Sequence, residues 1–351
     1  MRQYAYASQS SKTSFLSPGV HEMSQSVARL ALESLETRYC PALAAVPVAI
    51  SGLGNAGESS QVQIVDSQTR ASLAVITPFP GFAGELSVSV ADLTGDNIAD
   101  LVVGAGSGAQ PRVMAYDGTS LSSGTPVVLA NFFAFSEGFA GGVSVAILPS
   151  GSSGVPGTIA VGAGPGAGPH VRTFTPNGVP ASGPLSSFYA FAPEFDGGVH
   201  VAAGQLNSDS IADLIVGSGT GANGHVIAFS GSDASILTSY FVFSGGFNGG
   251  IYVAAGDLDG DGIDEIAASA ASVTGAVSIR SVLTNEIITT FFAGSETSAM
   301  GASLTFRQTP GFPMADILFA ATSVGTLQYS GSNFGDETFV ITPFETDFAV
   351  G

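Results

Sequence analysis

The densest chemistry in this 351-residue chain lies in Asp257-Leu258-Asp259-Gly260-Asp261-Gly262-Ile263-Asp264-Glu265. Carboxylates at the first, third, fifth and ninth positions of a tight glycine-containing loop can converge on one point. The backbone carbonyl of the seventh residue, Ile263, completes an oxygen cage. Hard oxygen ligands in a flexible loop select Ca2+, because Mg2+ demands stricter octahedral geometry and keeps more of its water. Two other stretches carry diluted versions of the pattern. One offers Asp92, Thr94, Asp96, the carbonyl of Ile98, and Asp100, with a hydroxyl in place of one carboxylate. The other begins at Gln205 and offers Asn207, Asp209 and Asp213. Fewer charged ligands mean weaker binding, so occupancy is expected to fall from 257–265 through 92–100 to 205–213. The ion is expected to be structural, tying a loop whose carboxylates would otherwise repel. Asp, Asn and Gly are also ordinary turn formers whose side chains bond local backbone, and that alternative stays open at this point.

These loops recur because the chain repeats itself. Gly84-Glu85-Leu86-Ser87-Val88, Gly141-Gly142-Val143-Ser144-Val145, Gly197-Gly198-Val199-His200-Val201 and Gly249-Gly250-Ile251-Tyr252-Val253 align. Each follows an aromatic pair, Phe79/Phe82, Phe135/Phe139, Phe191/Phe195 or Phe243/Phe247, and precedes an apolar run such as Leu101-Val102-Val103 or Leu214-Ile215-Val216. A fifth copy starts near Gly301 and is eroded, and residues 46–76 hold three elements of another. Pro149 and Gln308 stand where the second and fifth copies would need their first ligand. Short β-branched runs bounded by Gly, Asp, Asn and Pro read as strands. Four strands in about 50 residues, repeated, are the unit of a β-propeller blade. The expected fold is therefore all-β, with about six four-stranded blades, one incomplete at the N-terminus. A sheet that is apolar on both faces cannot stay dry alone, so neighbours must stack, with the recurrent Phe filling the wedges. The aromatic pair restarts at Phe344 and Phe348, just before Gly351, which leaves open how the ring closes and whether the natural chain is longer.

Composition restricts the function classes. Lys+Arg number 9 against 28 Asp+Glu, a formal net charge of −19, and charged residues are only 11% against 45% hydrophobic. Arg2, Lys12, Arg29 and Arg38 offset Glu22, Glu33 and Glu36, so the excess negative charge falls beyond residue 40. Such a body repels phosphate backbones and anionic lipid, which excludes nucleic acid as a partner. Cys40 is the single cysteine, so no intramolecular disulfide or cysteine-rich zinc site exists. No run is long and apolar enough to span a membrane. Residues 1–45 read as a flexible segment with a short helix around Leu30 and Glu33 that ends at Pro41, and residues 46–351 read as the repeat body.

Two resemblances sharpen this picture. The aromatic–Gly-Gly starts, the Asp-rich loop, and Val161-Gly162-Ala163-Gly164-Pro165-Gly166-Ala167-Gly168-Pro169-His170-Val171 resemble FG-GAP repeats, also called VCBS-type repeats, over residues 46–348. These repeats form the β-propeller of integrin α subunits and of many bacterial surface proteins. The resemblance implies a blade-by-blade propeller with Ca2+ loops on one face, and the eroded loops of copies two and five depart from it. Leu32-Glu33-Ser34-Leu35-Glu36-Thr37-Arg38, followed by Pro41, resembles the short N-terminal motif of planctomycete exported proteins. The resemblance implies that the chain lies outside the cell or on its surface, and translation could start at Met23.

Other signals carry less. Gly104-Ala105-Gly106-Ser107-Gly108 and Gly217-Ser218-Gly219-Thr220-Gly221 lead into strands rather than helices, so they are turns, not phosphate-binding loops. His170 and His225 share a repeat column with Arg112 and Ala276, and His200 shares one with Ser87, Ser144 and Tyr252, which points to architecture rather than a metal cluster. No nucleophile–base constellation can be argued, and Lys12, the sole lysine, lies in the N-terminal segment. The expected role is a non-catalytic, calcium-stabilised, extracellular or cell-surface propeller for protein or matrix contacts. The alternatives are a carbohydrate-binding propeller, weakened by the absence of Trp but open to stacking on Tyr189, Tyr240 or Tyr252, and a polysaccharide hydrolase or lyase with paired carboxylates.

Overall fold

The computed structural model describes residues 58–64, 72–121, 125–243, 246–271 and 275–292, and the backbone of 47–52, 65–66, 303–307, 317–322, 325–330 and 342–343. The chain divides into two units, Met1–Ala42 and Leu43–Gly351. The first unit, with the expected N-terminal helix, lies outside the described residues, as do Phe344 and Phe348.

Within the second unit the strands fall into six antiparallel sheets in chain order. The first holds β1 (Pro47–Gly52), β2 (Gln61–Asp66) and β3 (Ser72–Ile76). The second holds β4 (Leu86–Ala91), β5 (Asp100–Ala105), β6 (Arg112–Tyr116) and β7 (Val128–Phe133), with a one-turn helix α1 (Gly118–Leu121) before β7. The third holds β8 (Val143–Leu148), β9 (Thr158–Ala163), β10 (His170–Phe174) and β11 (Ser187–Tyr189). The fourth holds β12 (Val199–Gly204), β13 (Asp213–Ser218), β14 (His225–Phe229) and β15 (Ile236–Phe241). The fifth holds β16 (Ile251–Gly256), β17 (Glu265–Ala270), β18 (Ala276–Arg280) and β19 (Ile287–Phe292). The sixth holds β20 (Ser303–Arg307), β21 (Ile317–Thr322), β22 (Gly325–Ser330) and β23 (Thr342–Pro343). Five four-stranded sheets and one of three strands thus match the repeat, in the arrangement of propeller blades.

Registers repeat with the sequence. Val88 faces Val103, Val145 faces Val161, Val201 faces Val216 and Val253 faces Ala268 across the first and second strands of successive sheets. The second strands β5, β13 and β17 are buried along their whole length, as strands covered on both faces must be. Alternation divides each between two cores. Leu101 and Val103 face the first sheet with Val62, Ile64 and Phe79, whereas Val102 faces the third with Val143, Val145 and Ile147. The same handover joins the third sheet to the fourth and the fourth to the fifth.

The first strands stand side by side, β1 by β4, β4 by β8, β8 by β12, β12 by β16 and β16 by β20. Close approach there needs glycine: a Cβ on Gly217 of β13 would sit 2.5 Å from the Ile251 carbonyl oxygen. The Ser87 and Ser89 hydroxyls accept the Val145 and Ile147 N–H groups of the next first strand, each at 2.9 Å. The row curves, because Tyr252 on β16 donates its hydroxyl to Glu85, just before β4, at 2.9 Å. This contact joins the fifth sheet to the second.

Candidate metal centre

The loop from each first strand to its second lies at one end of the sheets. In the fifth sheet it is the 257–265 loop. The Asp257 carboxylate accepts Gly260 N–H at 2.7 Å and Gly262 N–H at 2.9 Å, one on each oxygen. Asp259 accepts from Asp261 N–H at 3.1 Å, and Asp261 from Ile263 N–H at 2.8 Å. Gly260 and Gly262 take φ of 81° and 86°, left-handed turns that glycine adopts without cost. The chain is thereby wound around its own acids. Asp257, Asp259 and Glu265 each bring an oxygen within 4.8 Å of the other two, and among the described residues this is the one set of acidic, His or Cys groups so gathered. Asp261, at the rim of the loop, is outside that set.

Burial and mutual repulsion act together on the carboxylates of this cluster. Glu265 is 3% exposed. Burial, against one hydrogen bond from Leu258 N–H, and then the charges of Asp259, Asp261 and Asp257 push its carboxyl up to about 7. Asp264, also largely buried, is pushed up to about 6, burial being the main cause. A divalent cation relieves this repulsion, so the donors present fit Ca2+.

The 92–100 loop repeats the winding. Asp92 accepts Gly95 N–H at 2.6 Å and Asn97 N–H at 2.8 Å, and Asp96 accepts Ile98 N–H at 2.8 Å. Asp100, fully buried, accepts Leu93 and Thr94 N–H on one oxygen and Gly118 N–H on the other. The Thr94 hydroxyl is buried with no hydrogen-bond partner. That orphaned oxygen stands at the third ligand position and fits the diluted pattern. In the 205–213 loop, Asp213 accepts Leu206 and Gly231 N–H at 2.9 Å each and is approached by the Asn207 amide. Asp209 accepts Ile211 N–H at 2.9 Å. Burial raises the Asp213 carboxyl. Turn chemistry and ligand geometry therefore coexist in these loops.

Some roles were not legible in sequence. Asp100 and Asp213 reach the turn after the third strand through Gly118 and Gly231. Asp264 reaches the preceding sheet, and only its position inside an acidic loop hinted at a role. His170 and His225 bond within the architecture. His170 stacks on Tyr189 at 4.8 Å and contacts the Ser187 hydroxyl, and His225 stacks on Phe241 at 4.5 Å and contacts that of Ser239.

Residues 86–120, from β4 through the 92–100 loop to α1, match the family model of the FG-GAP repeat. The chain carries an FG-GAP repeat. The 257–265 loop of the fifth sheet occupies the place that the 92–100 loop holds in this FG-GAP unit. No curated protein sequence matches the chain. A chain in the "Crystal Structure of Mitotic Checkpoint Complex" is similar over 81% of this chain and 69% of its own length, at 14% identity and a TM-score of 0.44. Among the described residues no helix is long and apolar enough to cross a membrane.

Proposed function

We propose that this protein is a non-catalytic, calcium-stabilised β-propeller that makes protein or matrix contacts outside the cell or on its surface. The observation that carries the calcium part is the convergence of Asp257, Asp259 and Glu265, with burial and the neighbouring carboxylates raising the Glu265 carboxyl to about 7. The Thr94 hydroxyl supports a second, weaker position at 92–100. Asp257, Asp259, Glu265 and the Ile263 carbonyl would hold the first ion, with Asp261 outside the set that converges; Asp92, Thr94, Asp96, Asp100 and the Ile98 carbonyl would hold the second. The contact role rests on the FG-GAP repeat, a module of extracellular proteins. Thermal unfolding tests the calcium reading. Saturating Ca2+ should raise Tm over an EGTA-treated sample by about 5 °C at a hundredfold excess over Kd. An unchanged Tm, with no calcium binding by calorimetry, would sink it.

A carbohydrate ligand is the second reading. Tyr189 is 52% exposed and its ring is stacked on His170, an accessible aromatic of the type sugars stack on. Binding on a glycan array that is lost in Tyr189→Ala would move the assignment from protein contact to lectin.

A further inference from the structure

The two acidic loops richest in ligands each grip a neighbouring loop that is poorer in them. In the fifth sheet, Asp264 forms a reciprocal pair with Gln205 of the fourth. The Asp264 carboxylate accepts Gln205 N–H at 2.7 Å, and Asp264 N–H donates to the Gln205 carbonyl at 2.7 Å. Gly204 makes room for this approach, since a Cβ there would lie 2.9 Å from the Asp264 carboxylate and 2.5 Å from the Ala255 Cβ. In the second sheet, the Leu93 and Gly95 carbonyls accept Gly157 and Gly154 N–H of the third sheet at 2.9 and 2.7 Å, and the Asn97 amide donates to the Ser153 hydroxyl at 2.9 Å. The third-sheet loop has Pro149 where its first ligand would stand, and the fourth-sheet loop has Gln205.

We propose that these loops are inter-sheet clamps, so that Ca2+ bound in 257–265 and 92–100 orders the neighbouring loops at 205–213 and 149–157, with Asp264 the positioning residue of the first clamp. Asp264 stands between Ile263 and Glu265. Winding 257–265 around an ion fixes the backbone that aims Asp264 at Gln205. The 92–100 loop acts through its backbone carbonyls and the Asn97 amide, since Ala99 stands where Asp264 does. This inference rests on the calcium reading of those loops.

Amide hydrogen exchange on the full-length protein, with calorimetry of Ca2+ binding on the same samples, separates the two. Ca2+ should slow exchange at Gln205, Asp264, Gly154 and Gly157 by about tenfold or more, and less at strands β10 and β14. Asp264→Ala should abolish the response at Gln205 while leaving it at Gly154 and Gly157. Asp264→Asn, which keeps an acceptor oxygen, should restore it. Should Asp264→Ala not fold, the wild-type pattern with Asp264→Asn still decides. Ca2+ binding without selective slowing at these amides overturns the clamp and leaves the calcium reading intact, whereas no Ca2+ binding overturns both.

Discussion

Asp100 shows how one buried carboxylate organises a blade. Its oxygens accept three N–H groups, from Leu93, Thr94 and Gly118, so one side chain closes the loop after β4 and pins the turn after β6. Removing a buried acceptor leaves each donor to bear its desolvation cost. Asp100→Ala should therefore destabilise the fold by on the order of 3–5 kcal/mol, read by urea unfolding in EGTA so that ion loss does not contribute. A smaller loss from Asp100→Ala than from an exposed control such as Glu286→Ala would contradict this role. His200 carries a different prediction. Its ring packs against Tyr252 at 4.6 Å, and burial lowers its pKa from 6.5 to about 4. Glu85, bonded to Tyr252, is the nearby charge on the opposing sheet. Above pH 6.5 both folded and unfolded forms are neutral at this residue. As pH falls from about 6.5 to about 4 the unfolded chain takes the proton first, so this residue's contribution to stability falls. Stability measured at pH 7 and pH 5 should drop less in His200→Phe than in the wild type.

Element-level behaviour follows from how strands meet at the centre and at the rim. Gly217 lies on a strand buried on both faces, with its missing side chain facing the Ile251 carbonyl. Gly217→Val should cost about 1–3 kcal/mol through overpacking, more than the same change at exposed Gly138, where added atoms meet open space. Chemical denaturation of the two variants compares them directly. At the rim, the fourth strands expose Val128, Ile236 and Ile287, a pattern that invites edge pairing. Each carries a register shift just after that residue, opposite Ala115/Tyr116, Ala228/Phe229 and Ile279/Arg280. An irregularity repeated at the same place bends the edge and spoils it as a template for other chains. The apolar runs of the second strands were plain in the sequence, because burial on both faces leaves a continuous hydrophobic signature. The three-residue β11 and the one-turn α1 were not, since neither holds enough residues for a period to show.

Over the whole unit, stability resides between sheets rather than within them. Each described hydrophobic cluster draws on two consecutive sheets, so none of the first five sheets keeps its core without a neighbour. A cation bound in one of these loops should therefore shift the global unfolding transition in addition to slowing exchange locally. Replacing Asp257 and Asp259 together by Asn should erase most of the Ca2+-dependent rise in Tm, and calorimetry should show the tighter binding step gone. Survival of that step would place the principal ion elsewhere.

Sequence alone determined the strands, the repeat and the residue types of the acidic loops, because alternation, turn residues and ligand spacing are written within about ten consecutive positions. The tertiary structure alone decided that Asp257, Asp259 and Glu265 converge while Asp261 stands apart, that Asp264 reaches Gln205, and that Tyr252 meets Glu85. The first outcome depends on how one loop winds, and the other two depend on the angles between sheets. The angles are set by side chains packing from different copies of the repeat, so no single stretch of sequence contains them.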